Sequence, residues 1–520
     1  MKKITYLGIV LLSIGLFVLS CGKDDGPEKP DPNPNPNPNP TTIELDKTSL
    51  KLYPFPFYTE GLQVTTDIGS ATVAWSSSNE DVAAVNANGE VTPLAIGTTT
   101  ITAKVGEATA TCSINVADGP VNELTLDEET LELFTNEMGG LSLTIDAEVE
   151  NTSAPVWHSD DETVATVDQE GNVTGQGTGT VEVSVTVDNM TIAMVVTVNP
   201  NVYVVGSADE NAVIWKNGTP SILALPEGFD SYSYANDVFV TDSGDVYIAG
   251  HAHDGFKYQA MVWINGVPKV LNELGYTHGY AHSVVVDDSG NFYVGGYEWD
   301  GTYHNGMVWI NGTAHEVSDE EVNDKVFSIA VDTDGDVYAT GIEEINTLDR
   351  AILWKLDVET EILAENNQHV NASGVALSGT DIYVVGSVEE NGVQLARRWD
   401  VENDVGVDLN ENMNNNASAS DVVVDNGVVF TVGTEYEFEN GNTAKLWIDE
   451  TAVALSNEVS TNANSVKVDP VDKTVYIAGQ KNLNGPDWAA RLWIKRGDDI
   501  ETKDLSESYQ NSGARAVFIK

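Results

Sequence analysis

The sequence predicts an all-β protein, two β-sandwiches followed by a seven-bladed β-propeller, and three observations carry that prediction. Seven tryptophans, Trp215, Trp263, Trp309, Trp354, Trp399, Trp447 and Trp493, recur at spacings of 45 to 48 residues. Seven glycines, Gly206, Gly250, Gly296, Gly341, Gly386, Gly433 and Gly479, keep the same beat, each closing a short run such as VYVVG, VYIAG or FYVGG. A separate repeat of 82 residues runs through 42–199, where Trp75, Gly89 and Gly97 return as Trp157, Gly171 and Gly179. A period in the mid-forties holding about four short strands defines a propeller blade, because one small sheet cannot bury both faces alone and must stack on neighbours.

The chain opens with Lys2 and Lys3, an apolar stretch from Ile4 to Leu19, and Cys21. That is the charged, then apolar, order of an export signal. The run Val18-Leu19-Ser20-Cys21 resembles the lipobox of bacterial lipoproteins. The resemblance implies that residues 1–20 are a signal peptide, that cleavage precedes Cys21, and that Cys21 is acylated. No later stretch approaches the ~18–20 apolar residues needed to span a bilayer, so lipid alone is expected to hold the chain. Cys21-Gly22-Lys23-Asp24-Asp25 resembles the export tag of surface lipoproteins of Bacteroidota, which implies an outer-membrane lipoprotein exposed on the cell surface. Residues 21–41 form a linker containing DPNPNPNPNP. Alternating proline fixes φ and removes amide donors, so this segment reads as an extended polyproline stalk of roughly 30 Å.

Residues 42–118 and 119–199 each alternate apolar and polar side chains and break at Asn-Gly or Glu-Gly turns, the pattern of a half-buried antiparallel sheet. Cys112, within ATATCSINV, reads as a small buried hydrophobe. The text WSSSNEDVAAVNANGEVTPLAIGTTTITA, repeated as WHSDDETVATVDQEGNVTGQGTGTVEVSV, resembles the bacterial group 2 Ig-like family. The second copy departs at His158 and Asp160 but keeps the framework. The resemblance implies two Ig-like sandwiches serving as spacers or adhesion modules, and it brings no catalytic residues.

The propeller occupies 200–520. It starts on the second strand of a blade and ends on a first strand, AVFI, so Ala516 to Ile519 are expected to pair with Val202 to Gly206 and close the ring without a free edge. The repeat resembles loose families of secreted bacterial propeller repeats, a resemblance that names no activity. DTDGD at 332–336 alternates acids as a calcium loop does, but it aligns with the DSGD and DSGN turns of sister blades and lacks a distal Glu. It reads as a hairpin turn.

Lys and Arg total 25 against 81 Asp and Glu, a formal net charge of −56. Such a surface repels phosphate backbones, so nucleic acid is not an expected partner. No Ser-His-Asp order, paired-carboxylate signature or HExxH motif emerges, and neither an enzyme nor a cofactor is expected. What breaks the repeat is a group in adjacent blades: Tyr234, His251, His253, His278, Tyr280, His282, Trp299 and His304. The hairpin pattern places them on loops of one propeller face, as a ligand-binding candidate. Aromatic rings suit an apolar sugar face or a protein contact, and imidazoles supply directional hydrogen bonds. With ordinary imidazole pKa values, binding there is expected to weaken below about pH 6. The function these readings favour is a surface-tethered binding or adhesion module with an extracellular glycan or protein ligand. A polysaccharide-processing enzyme using the propeller's top face is the alternative, as is an architectural subunit of a surface complex. Blades of nearly uniform length favour binding.

Overall fold

The computed structural model describes residues 42–520 apart from 55–58, 68–71, 118–120, 148–151, 189, 231, 272–276, 319–321, 346–347, 357–358, 365–369, 438–440, 459, 484–486, 507–508 and 510. The expected signal peptide, Cys21 and the proline stalk lie outside the described residues. The chain divides into two compact units between Pro120 and Val121.

The first unit holds one sandwich. Its larger sheet orders Ser49–Leu52, Ala108–Val116, Gly97–Val105 and Ala74–Ser77, the first pair parallel and the others antiparallel. A three-stranded sheet of Glu60–Gly61, Glu90–Pro93 and Ala83–Val85 accompanies it. Alternation along the two long strands sends Ile101, Ala103, Cys112 and Ile114 into the core, all fully buried. The second unit begins with a sandwich of the same topology, its sheets built on Thr130–Phe134, Met190–Asn199, Gly179–Val187 and Val156–Ser159, and on Met138–Gly140, Asn172–Gly175 and Ala165–Val167. The repeated Trp and Gly are one contact in each copy. Gly89 has φ +83° and Gly171 φ +87°, and a Cβ on either would strike the ring of Trp75 or Trp157. Glycine is required twice over there, by the backbone and by the indole.

The rest of the second unit is the propeller. Among the described residues, seven antiparallel four-stranded sheets follow one another. Their innermost strands are Ser233–Val240 in blade 1, His278–Val286, Asn323–Val331, Val370–Ser378, Asn416–Asp425, Thr461–Val468, and Ser512–Ile519 in blade 7. Blade 7 is assembled from both ends of the domain, since Ser512–Ile519 pairs with Val202–Ala208. The pairing runs past the expected Ala516–Ile519, and Asn201 and Lys520 extend it with two further backbone hydrogen bonds of 2.7 and 2.9 Å.

Each inner strand carries a β-bulge at the same place. The register against the second strand slips by one residue at Asn236, His282, Phe327, Ser373, Ser420, Asn464 and Arg515. Opposite every bulge stands one of the seven periodic glycines. A Cβ on any of them would overlap a carbonyl oxygen of the bulged strand, such as that of Tyr234 against Gly250 or Tyr280 against Gly296. The indoles of Trp263, Trp309, Trp354 and Trp493 close over Gly250, Gly296, Gly341 and Gly479 from the neighbouring strand. Six of the seven tryptophans are at most 2% exposed, and Trp399 is 6% exposed. Glycine lets the bulge in, and tryptophan seals it.

The bulge leaves one inner-edge amide per blade to be satisfied, and a buried amide without an acceptor is costly. The residue after the bulge supplies the oxygen to the next blade. Asp237 accepts from Val284 N at 2.9 Å, Ser283 from Ile329 N at 3.3 Å, and Ser328 from Val375 N at 3.3 Å. Asp421 accepts from Val466 N at 3.0 Å and Ser465 from Val517 N at 3.3 Å. Blades 4 and 7 have Gly374 and Ala516 at this position, with no oxygen to give. The blades that follow them carry the two aspartates, and each uses its other oxygen on its own chain, Val422 N to Asp421 and Val238 N to Asp237, both at 2.8 Å. All seven amides are thereby paired.

Closure through the C-terminal strand gives a direct expectation. Deleting residues 512–520 exposes the edge of Val202–Ala208 and removes the acceptor of Asn201, so thermal melting falls by many degrees or the chain aggregates. Thermal denaturation and size-exclusion chromatography of the truncated chain check this, and an unchanged transition would exclude the seam.

Candidate functional site

The seven bulges aim one side chain per blade into the central channel. Asn236, His282, Phe327, Ser373, Ser420, Asn464 and Arg515 form a ring there, and with Tyr234 and His251 they line a cavity of about 540 Å³. No two neighbouring blades contribute the same chemistry except blades 4 and 5. The ring lies at a position where the sequence repeat fails in a regular way. In AND, AHS, VFS, ASG, ASD, ANS and ARA, the outer residues are restricted and the middle one varies. Sequence reasoning picked out His282 and missed the other six, although this variability was their signal.

The structure moves the eight candidate residues from loops onto strands. Tyr234 lies in Ser233–Val240, and His278, Tyr280 and His282 in His278–Val286; these are innermost strands that begin earlier than their apolar runs suggest. His251 and His253 end Val246–His253, Trp299 ends Phe292–Trp299, and His304 starts His304–Ile310. Strand pairing continues through these polar ends because the facing residues pair in register, as His278 with Trp299 and Trp299 with His304.

All eight are nonetheless brought into one connected set of rings across blades 1 and 2. Tyr234 stacks on His251 with centroids 5.1 Å apart, and His251 meets Tyr280 edge-on at 4.9 Å. Tyr258, which sequence reasoning passed over, joins His251, His253, His278 and Tyr280 at 5.1 to 6.4 Å. His278 stacks on Trp299 at 5.7 Å. Tyr297, also passed over, links Tyr280, His282 and His304 at 5.1 to 5.4 Å, and His282 reaches Phe327 in blade 3 at 5.7 Å. Each of these rings is half-buried. The set extends from the channel ring outward over the strand ends.

Burial decides the electrostatics. His251 is held down to about 3 by desolvation, then by His282 and Arg515. Desolvation, Arg515 and Lys325 hold His282 down to about 4. Both imidazoles are neutral at physiological pH, which corrects the expected loss of binding near pH 6 so far as these two carry it. Asn236 Nδ2 donates to Ala281 O at 2.7 Å and lies 3.3 Å from His251 Nδ1, which therefore accepts. His253 Nδ1 is already engaged by Asp230 at 2.8 Å, and His278 Nδ1 accepts Tyr258 N at 3.2 Å. His282 Nε2 is buried and has no hydrogen-bond partner. Asp237, on the channel wall, is pushed up to about 6 by burial, against the pull of Lys467. Beside Trp299, Glu298 is fully buried with neither carboxylate oxygen hydrogen-bonded. Burial raises it to about 7, Lys257 opposing and Glu316 assisting.

Among the described residues, no group of three or more His, Cys, Asp or Glu is arranged to hold a metal ion. In the acidic turn at 332–336, Asp332 Oδ1 accepts the amides of Asp334 and Asp336 at 3.0 and 2.9 Å. Asp287 does the same for Ser289 and Asn291 in the hairpin of the preceding blade, at 2.9 and 2.8 Å. These carboxylates hold their own turns.

Fold and site together define a modular all-β protein with an asymmetric cluster on a seven-bladed propeller that follows two sandwiches. Residues 41–115 and 121–198 match the bacterial Ig-like domain (group 2) family, so both sandwiches are Ig-like domains of that group. The chain is 31% identical over 114 residues to ice-binding protein 1 of Shewanella frigidimarina, a match covering 21% of this chain. The chain spans only 13% of the length of that relative. Among solved structures, domains 4 and 5 of the S-layer protein SbsC are 19% identical with a TM-score of 0.21, over 30% of this chain and 97% of that one. TolB from Acinetobacter baumannii is 9% identical with a TM-score of 0.37, over 76% of this chain and 98% of that one.

The Glu298 carboxyl makes stability depend on pH in a defined direction. Its folded pKa, about 7, lies above the ordinary 4.5, so the fold resists its ionisation and loses stability as pH rises from about 4.5 to 7. Glu298→Gln is expected to equal the wild type near pH 4 and to exceed it at pH 8 by on the order of 1–3 kcal/mol. Denaturant melts at the two pH values measure this; a variant that is less stable at pH 8 would mean the carboxylate is paired after all.

Proposed function

We propose that the protein is a surface-held binding module whose propeller head takes a glycan on the ring cluster of blades 1 and 2. One observation carries the reading: Tyr234, Tyr280 and Trp299, with five histidines and joined through Tyr258 and Tyr297, form a single connected set whose inner members Tyr234, His251 and His282 line the channel cavity. Aromatic faces cover the apolar face of a sugar ring, while imidazoles supply directional hydrogen bonds to its hydroxyls. The cluster occurs in one sector of an otherwise repeating ring, where nothing in blade packing calls for it. Ig-like domains ahead of the head suit display at a distance from an anchor. That anchor is Cys21, acylated after removal of residues 1–20, with the proline stalk as spacer and the outer-membrane surface as location.

Two experiments address the two halves. Cys21→Ser should move the protein from the membrane to the soluble fraction or leave its precursor uncut; normal processing and membrane retention of the variant would exclude lipid anchoring. On an immobilised neutral-glycan array, the full chain should select a ligand, and Tyr280→Ala with Trp299→Ala should weaken it by at least about tenfold. A melting temperature close to wild type establishes that the variant is folded. Unchanged glycan affinity in that folded variant would place the site elsewhere, and retention of a surface protein with no glycan would make the ligand a protein.

A further inference from the structure

The channel ring contains a cation with no counter-charge. The chain has six arginines among 81 acidic residues. Arg350, Arg397, Arg398, Arg491 and Arg496 each hold a carboxylate within 4 Å. Arg515 has no ion pair and no hydrogen bond among the described residues, although its side chain is exposed to the channel. The bulge of the closing strand places it there. An exposed guanidinium on the channel wall with no carboxylate in reach keeps its donors free for a ligand.

Nothing in the ring competes for it. The other six ring residues are asparagines, serines, a phenylalanine and a neutral histidine, with no carboxylate among them. Asp237 and Asp421 lie one residue further along their strands, but all four of their oxygens accept inner-strand amides. A second observation points to the same space. His282 Nε2, on the same ring, is buried without a partner. Asn236 and Asn464 fix their Nδ2 atoms on the Ala281 and Ala514 carbonyls at 2.7 Å, which turns each amide one way round and leaves its Oδ1 as the atom presented to a ligand. A single guanidinium, two oriented acceptors, serine hydroxyls and one aromatic ring match an acidic sugar: one planar oxyanion and several hydroxyls.

We propose that the ring is the deep subsite of the binding face, where Arg515 takes the carboxylate of an acidic sugar by a paired hydrogen bond. Asn236 and Asn464 accept from that sugar's hydroxyls, and the imidazole of His282 completes the set. This rests on the reading of the outer cluster as a glycan site, which then holds the adjoining residue. The cavity of about 540 Å³ has the size of a small-ligand pocket.

Titration calorimetry of the full chain with trigalacturonate, its carboxyl-reduced neutral counterpart and a sulfated galactose trimer tests this. The wild type should bind trigalacturonate at least about tenfold more tightly than the neutral trimer and more tightly than the sulfated one. Arg515→Gln should abolish that preference while neutral binding stays, and Arg515→Lys should restore part of it. Melting curves exclude misfolding of either variant. Equal binding of acidic and neutral trimers overturns the subsite and leaves the outer site standing. A preference for sulfate overturns the carboxylate assignment, and a preference that survives Arg515→Gln overturns the role of Arg515. An Arg515-dependent preference untouched by Tyr280→Ala with Trp299→Ala keeps the subsite and removes the outer site. Failure of all three trimers to bind overturns both.

Discussion

The propeller depends on the absence of a side chain at seven places. Where each periodic glycine faces the innermost strand, a carbonyl of that strand occupies the volume a Cβ would need. Alanine there would have to push the strands apart or undo the bulge. The bulge in turn determines three things at once. It turns one residue per blade toward the axis, it leaves an amide for the neighbouring blade to satisfy, and it creates the shallow floor on which an indole packs. Tryptophan and glycine keep the same period because they are two sides of one contact.

The amide bonds between blades explain a pattern that charge or propensity would leave arbitrary. Serine has one side-chain oxygen and serves one neighbour. Aspartate has two, and it stands in blades 1 and 5, whose predecessors end in Ala516 and Gly374 at that position. The cost of this arrangement is visible at Asp237, whose burial raises its pKa to about 6. Two anions near the axis are tolerated because each spends both oxygens on backbone donors, which is how proteins hold buried carboxylates without a salt bridge.

Much of this was legible in the amino-acid order. The Trp and Gly series, the 82-residue repeat and the offset start and finish of the blades are long-range regularities, and regularity survives without coordinates. Two of the eight cluster residues show the limit. His278 and Tyr280 precede the apolar run SVVV and resemble loop residues, yet they are strand residues because their cross-strand partners Trp299 and Tyr297 extend the ladder. Such pairing is a property of two segments and is invisible in one. The imidazole pKa values of His251 and His282 failed for a related reason: desolvation depends on what packs around each ring, which here includes Tyr280 and Phe327 from the blades that follow. The bulge ring was the most instructive omission. Its residues vary more widely than their flanks, which are confined to Ala or Val before and to Asp, Ser, Gly or Ala after, and variation inside a structural repeat is a mark to weigh beside an unusual residue type.

Symmetry gives that last point its force. In a ring of near-identical blades every packing demand is met seven times over, so a side chain that appears once answers to something other than packing. Arg515 appears once. The net charge of −56 surrounds the protein with a potential hostile to anions, but exposed charge is screened over roughly 8 Å at physiological ionic strength. Within the channel the local environment dominates, and there the neutral imidazoles of His251 and His282 add no positive charge while the aspartates are occupied by amides. The acidic exterior repels anions at long range without neutralising the guanidinium. Under the proposed assignment, discrimination is therefore a matter of short-range geometry, in which an oxyanion gains from Arg515 only on reaching the ring.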